Sequence, residues 1–257
     1  MRMITFSVLK KCKIKSALYQ LSRTITINSD EVKPRFDFNK LFVEVQPSWK
    51  ADEEPGLRAE VLRNMRILPD FVTEEEEASL LAEVEPQLKR MRYEYDHWDN
   101  AIEGYRETER SAWREENEAV LTRIRAVFPP GTTLLPHVHI LDLAAAGHIK
   151  PHVDAVRFCG DVIAGLCLLS SAIMRLTHEK HPHLVLDALL QRRSLYIMSG
   201  VARYDFAHEV LGGEHSVWRG EKLPRKRRIA IICQWELDPS SQQPREGRRC
   251  ARGRMPP

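Results

Sequence analysis

Residues 161–199 read DVIAGLCLLSSAIMRLTHEKHPHLVLDALLQRRSLYIMS. Short apolar runs fill this stretch, polar or proline-containing turns separate them, and runs of this length predict strands. The predicted strands lie at 161–170, 173–178, 183–190 and 194–199. Two further runs flank them, LLPHVHILDL at 134–143 and RRIAIICQWE at 227–236. Several closely spaced strands in one region predict a mainly β fold, built as a sandwich, a barrel or a double-sheet jelly roll.

Two predicted helices precede the strands. The first lies at 69–92, where Thr73 is a suitable N-cap and the acidic residues after it favour a helix N-terminus. The second lies at 111–128, has apolar residues at helical spacing, and stops at the sequence PPG. We expect these amino-terminal helices to support one sheet.

The net charge of +3 is unevenly distributed along the chain. Residues 1–29 hold six basic side chains and no acidic one, which is typical of an organelle transit peptide and predicts mitochondrial import. Residues 238–257 are rich in Pro, Arg, Ser and Gln and are predicted to be disordered. The remaining residues carry a formal charge of about −6, and such an acidic body disfavours duplex DNA as a substrate.

The composition disfavours several other classes of protein. No stretch approaches the roughly 18 uninterrupted apolar residues of a membrane-spanning helix, so no membrane insertion is expected. The five cysteines show no CxxC spacing and are odd in number, which favours a reducing compartment over a secreted disulfide framework. A cysteine-rich zinc site is disfavoured for the same reason.

A candidate metal site begins in GHIKPHVDAV, residues 147–156. His152 and Asp154 are two residues apart in a segment that we expect to be extended, so both side chains leave the same face of one strand. A third ligand must come from elsewhere, and we favour His208 because it follows the predicted strand SLYIMS and a tight turn. The other candidates for this third ligand are His137, His139, His148, His178, His181, His183 and His215. Two histidines and one carboxylate are typical of non-haem Fe(II) oxygenases.

Arg228 opens the apolar run RIAIICQW. Period-two alternation divides this run into two faces, one with Arg228, Ala230, Ile232 and Gln234 and the other with Ile229, Ile231, Cys233 and Trp235. Both faces are mainly apolar, so we expect a buried strand, and a guanidinium at its mouth needs a carboxylate partner. In an oxygenase that partner can be the distal carboxylate of 2-oxoglutarate. The alternative is a rim arginine belonging to the basic run 225–228.

From about residue 68 to residue 237 the chain resembles the AlkB-related Fe(II)/2-oxoglutarate dioxygenases. The resemblance is carried by PHVD, by ARYDFAHEV, and by the strand that Arg228 opens. It implies a double-stranded β-helix, or jelly roll, that binds Fe(II) at His152, Asp154 and His208. It further implies that Arg228 binds the distal carboxylate of the co-substrate 2-oxoglutarate and that oxygen is the second co-substrate. Tyr196 lies where some family members place a tyrosine on that same carboxylate, and the alternative is an ordinary core aromatic.

Two features depart from the family pattern. Family members commonly have a second arginine six residues after the first, and Gln234 occupies that position here. A glutamine can donate a hydrogen bond to the cofactor but supplies no charge, so a weaker cofactor affinity is expected. The Asn-x-Tyr pair that many members place before the metal strand is also absent, and the corresponding residues are Leu141, Asp142 and Leu143.

The resemblance and the composition together predict a domain organisation. We expect a mitochondrial targeting or poorly ordered extension at 1–45, a helical lead-in at 46–133, the double-stranded β-helix catalytic core at 134–237, and a disordered basic tail at 238–257.

The predicted activity is hydroxylation or demethylation in the mitochondrial matrix. The substrate is expected to be a protein, or an RNA approached through the basic run at 222–228, rather than duplex DNA. Resemblance to mitochondrial members of the family also implies an association with programmed necrosis and fatty-acid metabolism.

Two alternative functions remain open on the sequence. A zinc- or manganese-dependent hydrolase could use the same three metal ligands, with Glu209 as its general acid or base. A jelly roll that has lost productive cofactor binding through Gln234 could instead serve as a mitochondrial interaction protein.

Overall fold

The computed structural model describes residues 39–95, 101–132, 134–155 and 160–234. The predicted transit segment at 1–29 and the predicted tail at 238–257 lie outside the described residues. The helices are α1 (Asn39–Phe42), α2 (Pro55–Asn64), α3 (Glu74–Leu88), α4 (Glu115–Arg125) and α5 (Gly200–Tyr204). The strands are β1 (Val43–Val45), β2 (Met65–Leu68), β3 (Ile102–Arg110), β4 (Val138–His152), β5 (Val162–Leu168), β6 (Ala172–His178), β7 (Val185–Leu190), β8 (Leu195–Ser199), β9 (Phe206–Val210), β10 (Val217–Trp218), β11 (Glu221–Lys222) and β12 (Arg228–Gln234).

One antiparallel sheet organises the molecule. Its strands run in the order β1-β7-β6-β9-β4-β12-β5-β8-β2, with β3 also pairing with β4, while β10 and β11 form a separate hairpin. The long strand β4 changes partner along its length: Ile140 is opposite Ile231 of β12, whereas Ile149 is opposite Val210 of β9. This change of partner wraps the sheet around an interior, which gives the double-stranded β-helix. The predicted mainly β fold is confirmed.

Helices α3 and α4 pack on the outer face of the sheet. Their apolar residues share one core cluster with outward-facing residues of β5, β8 and β12, including Leu80, Leu121, Ile124, Leu166 and Ile231. The predicted N-cap is confirmed: the Thr73 hydroxyl accepts a hydrogen bond from the Glu76 amide at 3.1 Å, and the Thr73 amide donates to the Glu76 carboxylate at 2.9 Å. This reciprocal capping box fixes the start of α3.

Strand β12 has the two faces that its alternation predicts. Ile229, Ile231 and Cys233 belong to the core beneath the helices. Arg228, Ala230, Ile232 and Gln234 line the interior of the jelly roll. The helices therefore anchor one face of β12 while the other face is presented to the cavity that contains the candidate site.

The region 46–133, predicted as a helical lead-in, also contains strands β2 and β3. Strand β3 reads IEGYRETER, and its five charged residues conceal a strand from any search for alternating apolar residues. Cross-strand pairing explains how they are accommodated, because Arg106 binds Asp142 and Glu107 binds His139, both on β4. Among the described residues, no helix has the length and apolar character needed to span a bilayer.

Candidate active site

His152, Asp154 and His208 converge in the interior of the jelly roll, and we call them the candidate triad. His152 is the last residue of β4, Asp154 follows two residues later, and His208 lies directly opposite His152 on β9. One donor atom from each side chain lies within 4.8 Å of the other two. An Asp154 carboxylate oxygen is 3.5 Å from Nε2 of His152, and the second oxygen is 3.6 Å from Nε2 of His208.

Neighbouring groups fix the orientation of the triad. His152 Nδ1 lies 2.9 Å from the carbonyl oxygen of Lys150. Because a carbonyl only accepts, Nδ1 carries the proton and the Nε2 lone pair faces the triad. Arg203 of α5 is fully buried, and its Nη1 donates to the carbonyl oxygen of Asp154 at 2.8 Å. The segment carrying the carboxylate is therefore anchored by a buried guanidinium.

The protonation states of the triad suit a divalent cation. Burial raises the pKa of Asp154, but when the imidazoles are protonated, the hydrogen bond from His152 and the charges of both histidines outweigh burial and lower the pKa to about 2. Burial lowers the pKa of His208 to about 4, against the opposing effect of Asp154. At neutral pH the carboxylate is thus charged and the His208 ring is neutral, as metal ligation requires. Nδ1 of His208 is buried and has no partner among the described residues, so its desolvation is not offset by a protein group there.

The triad opens into an interior cavity of about 100 Å³. Besides the triad, its walls include Arg228, Tyr196 and Gln234, together with apolar residues such as Met174. The structure therefore brings every predicted metal-binding and cofactor-binding side chain to one cavity.

Arg228 is the cation of this cavity. It is 2% exposed, its Nη2 donates to Cys167 Sγ at 3.4 Å, and its Nε has no partner among the described residues. A thiol is a weak acceptor that leaves the guanidinium charge without compensation. Such a group fits a bidentate carboxylate, and the interpretation of Arg228 as a surface rim residue is wrong because the side chain is buried.

The remaining candidate histidines do not join the candidate triad. His139 also lines the cavity, but its Nε2 is 3.0 Å from Glu107. His178, the last residue of β6, packs against His181 in the turn that follows, with ring centroids 5.0 Å apart. Among the described residues, no group other than the candidate triad brings three such donors together.

Glu209 does not share the triad cavity. The strand alternation of β9 sends it to the opposite face from His208, where it lines a separate cavity with His148 and Arg175. The hydrolase hypothesis relied on Glu209 as its acid or base, and this placement removes that support.

The sequence did not identify Arg203 and Cys167 as contacts of the site. Arg203 is 49 residues from Asp154, and Cys167 is 61 residues from Arg228. Contacts at such separations leave no spacing signal. One hint to the role of Arg203 was available in the sequence, because it lies directly before the motif YDFAH and a cation beside an apolar segment needs a buried acceptor.

The chain has close relatives among known proteins, although no protein-family profile matches it. It is 54% identical over 168 residues, 65% of this chain and 76% of the relative, to the alpha-ketoglutarate-dependent dioxygenase alkB homolog 7, mitochondrial, of Bos taurus. It is 48% identical over 187 residues, 72% of this chain and 85% of the relative, to the protein of that name from Mus musculus. The solved structure of OsALKBH1 superposes with a TM-score of 0.51 at 12% identity, covering 66% of this chain and 97% of that one, which shows a shared fold.

Proposed function

The chain belongs to the AlkB-related 2-oxoglutarate-dependent dioxygenases, and on that premise we propose that it hydroxylates or demethylates a protein substrate in the mitochondrial matrix. Enzymes of this family use Fe(II) and 2-oxoglutarate. When bound together, these cofactors activate oxygen for insertion into a C–H bond, with release of succinate and carbon dioxide. The functions of individual residues follow from the geometry of the cavity.

His152, Asp154 and His208 would hold the Fe(II). Two imidazoles and a carboxylate form the three-ligand set of non-haem iron oxygenases and leave coordination positions for co-substrates. The Lys150 carbonyl orients the His152 ring, and Arg203 anchors the chain at Asp154. These contacts keep the donors in place before any metal binds.

Arg228 would bind the distal carboxylate of 2-oxoglutarate, and its environment is the observation that carries the proposal. It is a buried cation in the triad cavity, with a thiol rather than a carboxylate against it. The Tyr196 ring lines the same cavity and would contact the same carboxylate. Gln234 also lines this cavity and would contribute a hydrogen bond without charge.

Several observations favour a protein over a nucleic acid as the substrate. Within the basic run at 222–228, Arg227 is paired with Asp142 and Glu85, and Arg228 is buried. The exposed lysines at 222 and 226 remain available to bind a phosphate backbone. At β3, Glu103 is paired with Lys150, so this edge supplies no surplus of positive charge. Nucleic-acid binding depends on such a surplus.

The matrix location rests on the basic, acid-free composition of residues 1–29 and on relatives named as mitochondrial. Mass spectrometry of the mature amino terminus recovered from mitochondria would test it, and an uncleaved first segment would contradict matrix import. The association with programmed necrosis and fatty-acid metabolism stays a prediction.

The test of the site is an anaerobic titration of the metal-free protein with Fe(II) and 2-oxoglutarate. We expect the weak visible metal-to-ligand charge-transfer band of the chelated cofactor in the wild-type protein and its loss in Asp154→Ala. Glu209→Gln is the matched control, because this acid adjoins His208 in sequence but lines another cavity, and it should leave the band unchanged. No band in the wild-type protein at high cofactor concentration would favour the interaction-protein alternative.

A further inference from the structure

Cys167 of β5 contacts the guanidinium of Arg228 inside the jelly roll. Arg228 Nη2 donates to Cys167 Sγ at 3.4 Å, and both side chains are buried, Cys167 completely. Arg228 Nε is buried as well and has no hydrogen-bond partner among the described residues. A buried guanidinium is normally paired with a carboxylate, whereas the sulfur of a thiol is a weak acceptor that carries no full charge. The choice of a thiol at this position therefore needs an explanation.

The sheet fixes the position of Cys167. Its strand lies between β12 and β8, and Cys167 is directly opposite Ala230, two residues along β12 from Arg228. The Cys167 amide donates to the Ser194 carbonyl at 2.9 Å. The side chain packs in the same apolar cluster as Tyr196, which lines the triad cavity. Because the backbone is held on both sides, Sγ is a fixed acceptor that sets where Arg228 Nη2 lies.

An acceptor for Arg228 must satisfy two opposing requirements if this cation binds a carboxylate ligand. An acid at residue 167 would form a charge-assisted pair with Arg228 and compete with the ligand for the guanidinium. An apolar side chain would leave Nη2 without an acceptor, and a mobile arginine side chain must then be ordered when the ligand binds, which lowers affinity. A thiol meets both requirements, because it accepts one hydrogen bond and leaves the positive charge uncompensated.

We propose that Cys167 is the positioning residue for Arg228, holding the guanidinium in place without neutralising it and so keeping its charge available to the distal carboxylate of 2-oxoglutarate. This inference rests on the proposed function and extends it to a residue that acts through Arg228. It predicts that the charge of the side chain at residue 167, more than its size, sets the affinity for the co-substrate. It also predicts that an acid there stabilises the ligand-free protein relative to its amide, because the acid compensates the charge of Arg228.

The experiment compares Cys167→Asp with Cys167→Asn, two side chains of similar size that differ in charge. Calorimetric titration of Mn(II)-loaded protein with 2-oxoglutarate measures affinity. We expect a loss of about a hundredfold or more for Cys167→Asp, since the ligand must displace a buried ion pair, and of about tenfold or less for Cys167→Asn. Thermal unfolding of the ligand-free proteins should show the opposite order, with Cys167→Asp unfolding at the higher temperature. A purely structural role would make affinity and unfolding temperature fall together.

Three further variants separate positioning from charge and from general loss of packing. Cys167→Ser retains an acceptor and should bind 2-oxoglutarate within about twofold of the wild-type protein, whereas Cys167→Ala removes the acceptor and should bind about three- to tenfold more weakly. The matched control is Cys233→Ser. Cys233 is also a free, buried cysteine, but it belongs to the core beneath the helices, so this variant should leave the affinity unchanged.

Each of three results, beside normal binding by the wild-type protein, would overturn this inference alone. Equal losses of affinity in Cys167→Asp and Cys167→Asn would show that space rather than charge matters at residue 167. A Cys167→Asp protein that unfolds at a lower temperature than Cys167→Asn, or that fails to fold when Cys167→Asn folds, would show that Arg228 needs no compensating charge. If neither variant folds, equal affinities of Cys167→Ala and Cys167→Ser would contradict positioning. Wild-type protein that does not bind 2-oxoglutarate would contradict the proposed function and this inference with it.

Discussion

Buried arginines serve different purposes in this molecule, and the partner of each one distinguishes them. Arg203 is fully buried and donates to a backbone carbonyl beside the candidate triad. Arg228 is just as deeply buried but faces a thiol, in a cavity with metal-type ligands. The first arrangement stabilises a loop, whereas the second leaves a charge that a ligand must balance. The identity of the acceptor, and not burial itself, supports the proposal that Arg228 binds a carboxylate.

Gly165 sets the position of Tyr196 in the cavity wall. The two residues are opposite each other on β5 and β8. A Cβ atom on Gly165 would lie 2.5 Å from the Tyr196 hydroxyl oxygen and closer still to two ring carbons. Gly165→Ala should therefore displace the ring, lower the free energy of unfolding by about 1–3 kcal/mol, and weaken 2-oxoglutarate binding. Urea unfolding and calorimetric titration measure the two effects.

The control for this prediction is a second substitution that relieves the overlap. Tyr196→Leu shortens the side chain facing Gly165, so adding Gly165→Ala to it should cost much less stability than Gly165→Ala costs in the wild-type protein. Additive losses in the double variant would show that the alanine acts somewhere other than on the ring.

The short-range part of the site could be predicted from the sequence. His152 and Asp154 are two residues apart in one segment, so their convergence could be expected from the sequence. Alternation along β12 correctly placed Arg228 and Gln234 on one face. The hydrogen bond from Arg225 to the Gly147 carbonyl could not be predicted, because it joins residues 78 apart. In the sequence Arg225 belonged to an ordinary basic run.

At the scale of elements, the strands of the jelly roll were predictable because they are buried. Strand β5 is buried at every position, and such a run of apolar residues has few other interpretations. Strand β3 was missed because its stability comes from ion pairs with β4 rather than from apolar alternation. Strand β9 was missed as well: its five residues FAHEV include His208, the proposed metal ligand, and Glu209.

The capping box of α3 makes a prediction at this scale. Thr73→Ala removes the hydroxyl that accepts from the Glu76 amide, while α3 supplies Leu80, Val84 and Leu88 to the core beneath β12. The free energy of unfolding should fall by about 1 kcal/mol, measured by urea denaturation. Thr73→Ser retains the hydroxyl and should recover most of the loss. An equal loss in the serine variant would contradict a capping role.

At the scale of the whole molecule, one buried carboxylate joins segments that are distant in sequence. Asp142 of β4 is fully buried and accepts from Arg106 Nε at 2.7 Å and from Arg227 Nη2 at 2.7 Å. The Tyr93 hydroxyl donates to it at 3.2 Å. Arg227 also pairs with Glu85 of α3, so the network connects β3, β4, α3 and the segment leading into β12. The start of β12, where Arg228 turns inward, is held by this network.

Asp142→Asn should therefore destabilise the entire fold rather than one element. Removing the charge takes the carboxylate partner from Arg106 and leaves Arg227 with Glu85 alone, at a cost of about 3–5 kcal/mol in the free energy of unfolding. The matched control is Glu118→Gln, which breaks the more exposed pair with Arg125 and should cost about 1 kcal/mol or less. Urea denaturation measures both variants, and similar losses would contradict a special role for Asp142. Asp142→Asn leaves Arg227 partly unpaired. Adding Arg227→Gln to that variant should therefore lower the free energy of unfolding by less than Arg227→Gln does in the wild-type protein. Strictly additive losses would show that the two side chains stabilise the fold independently.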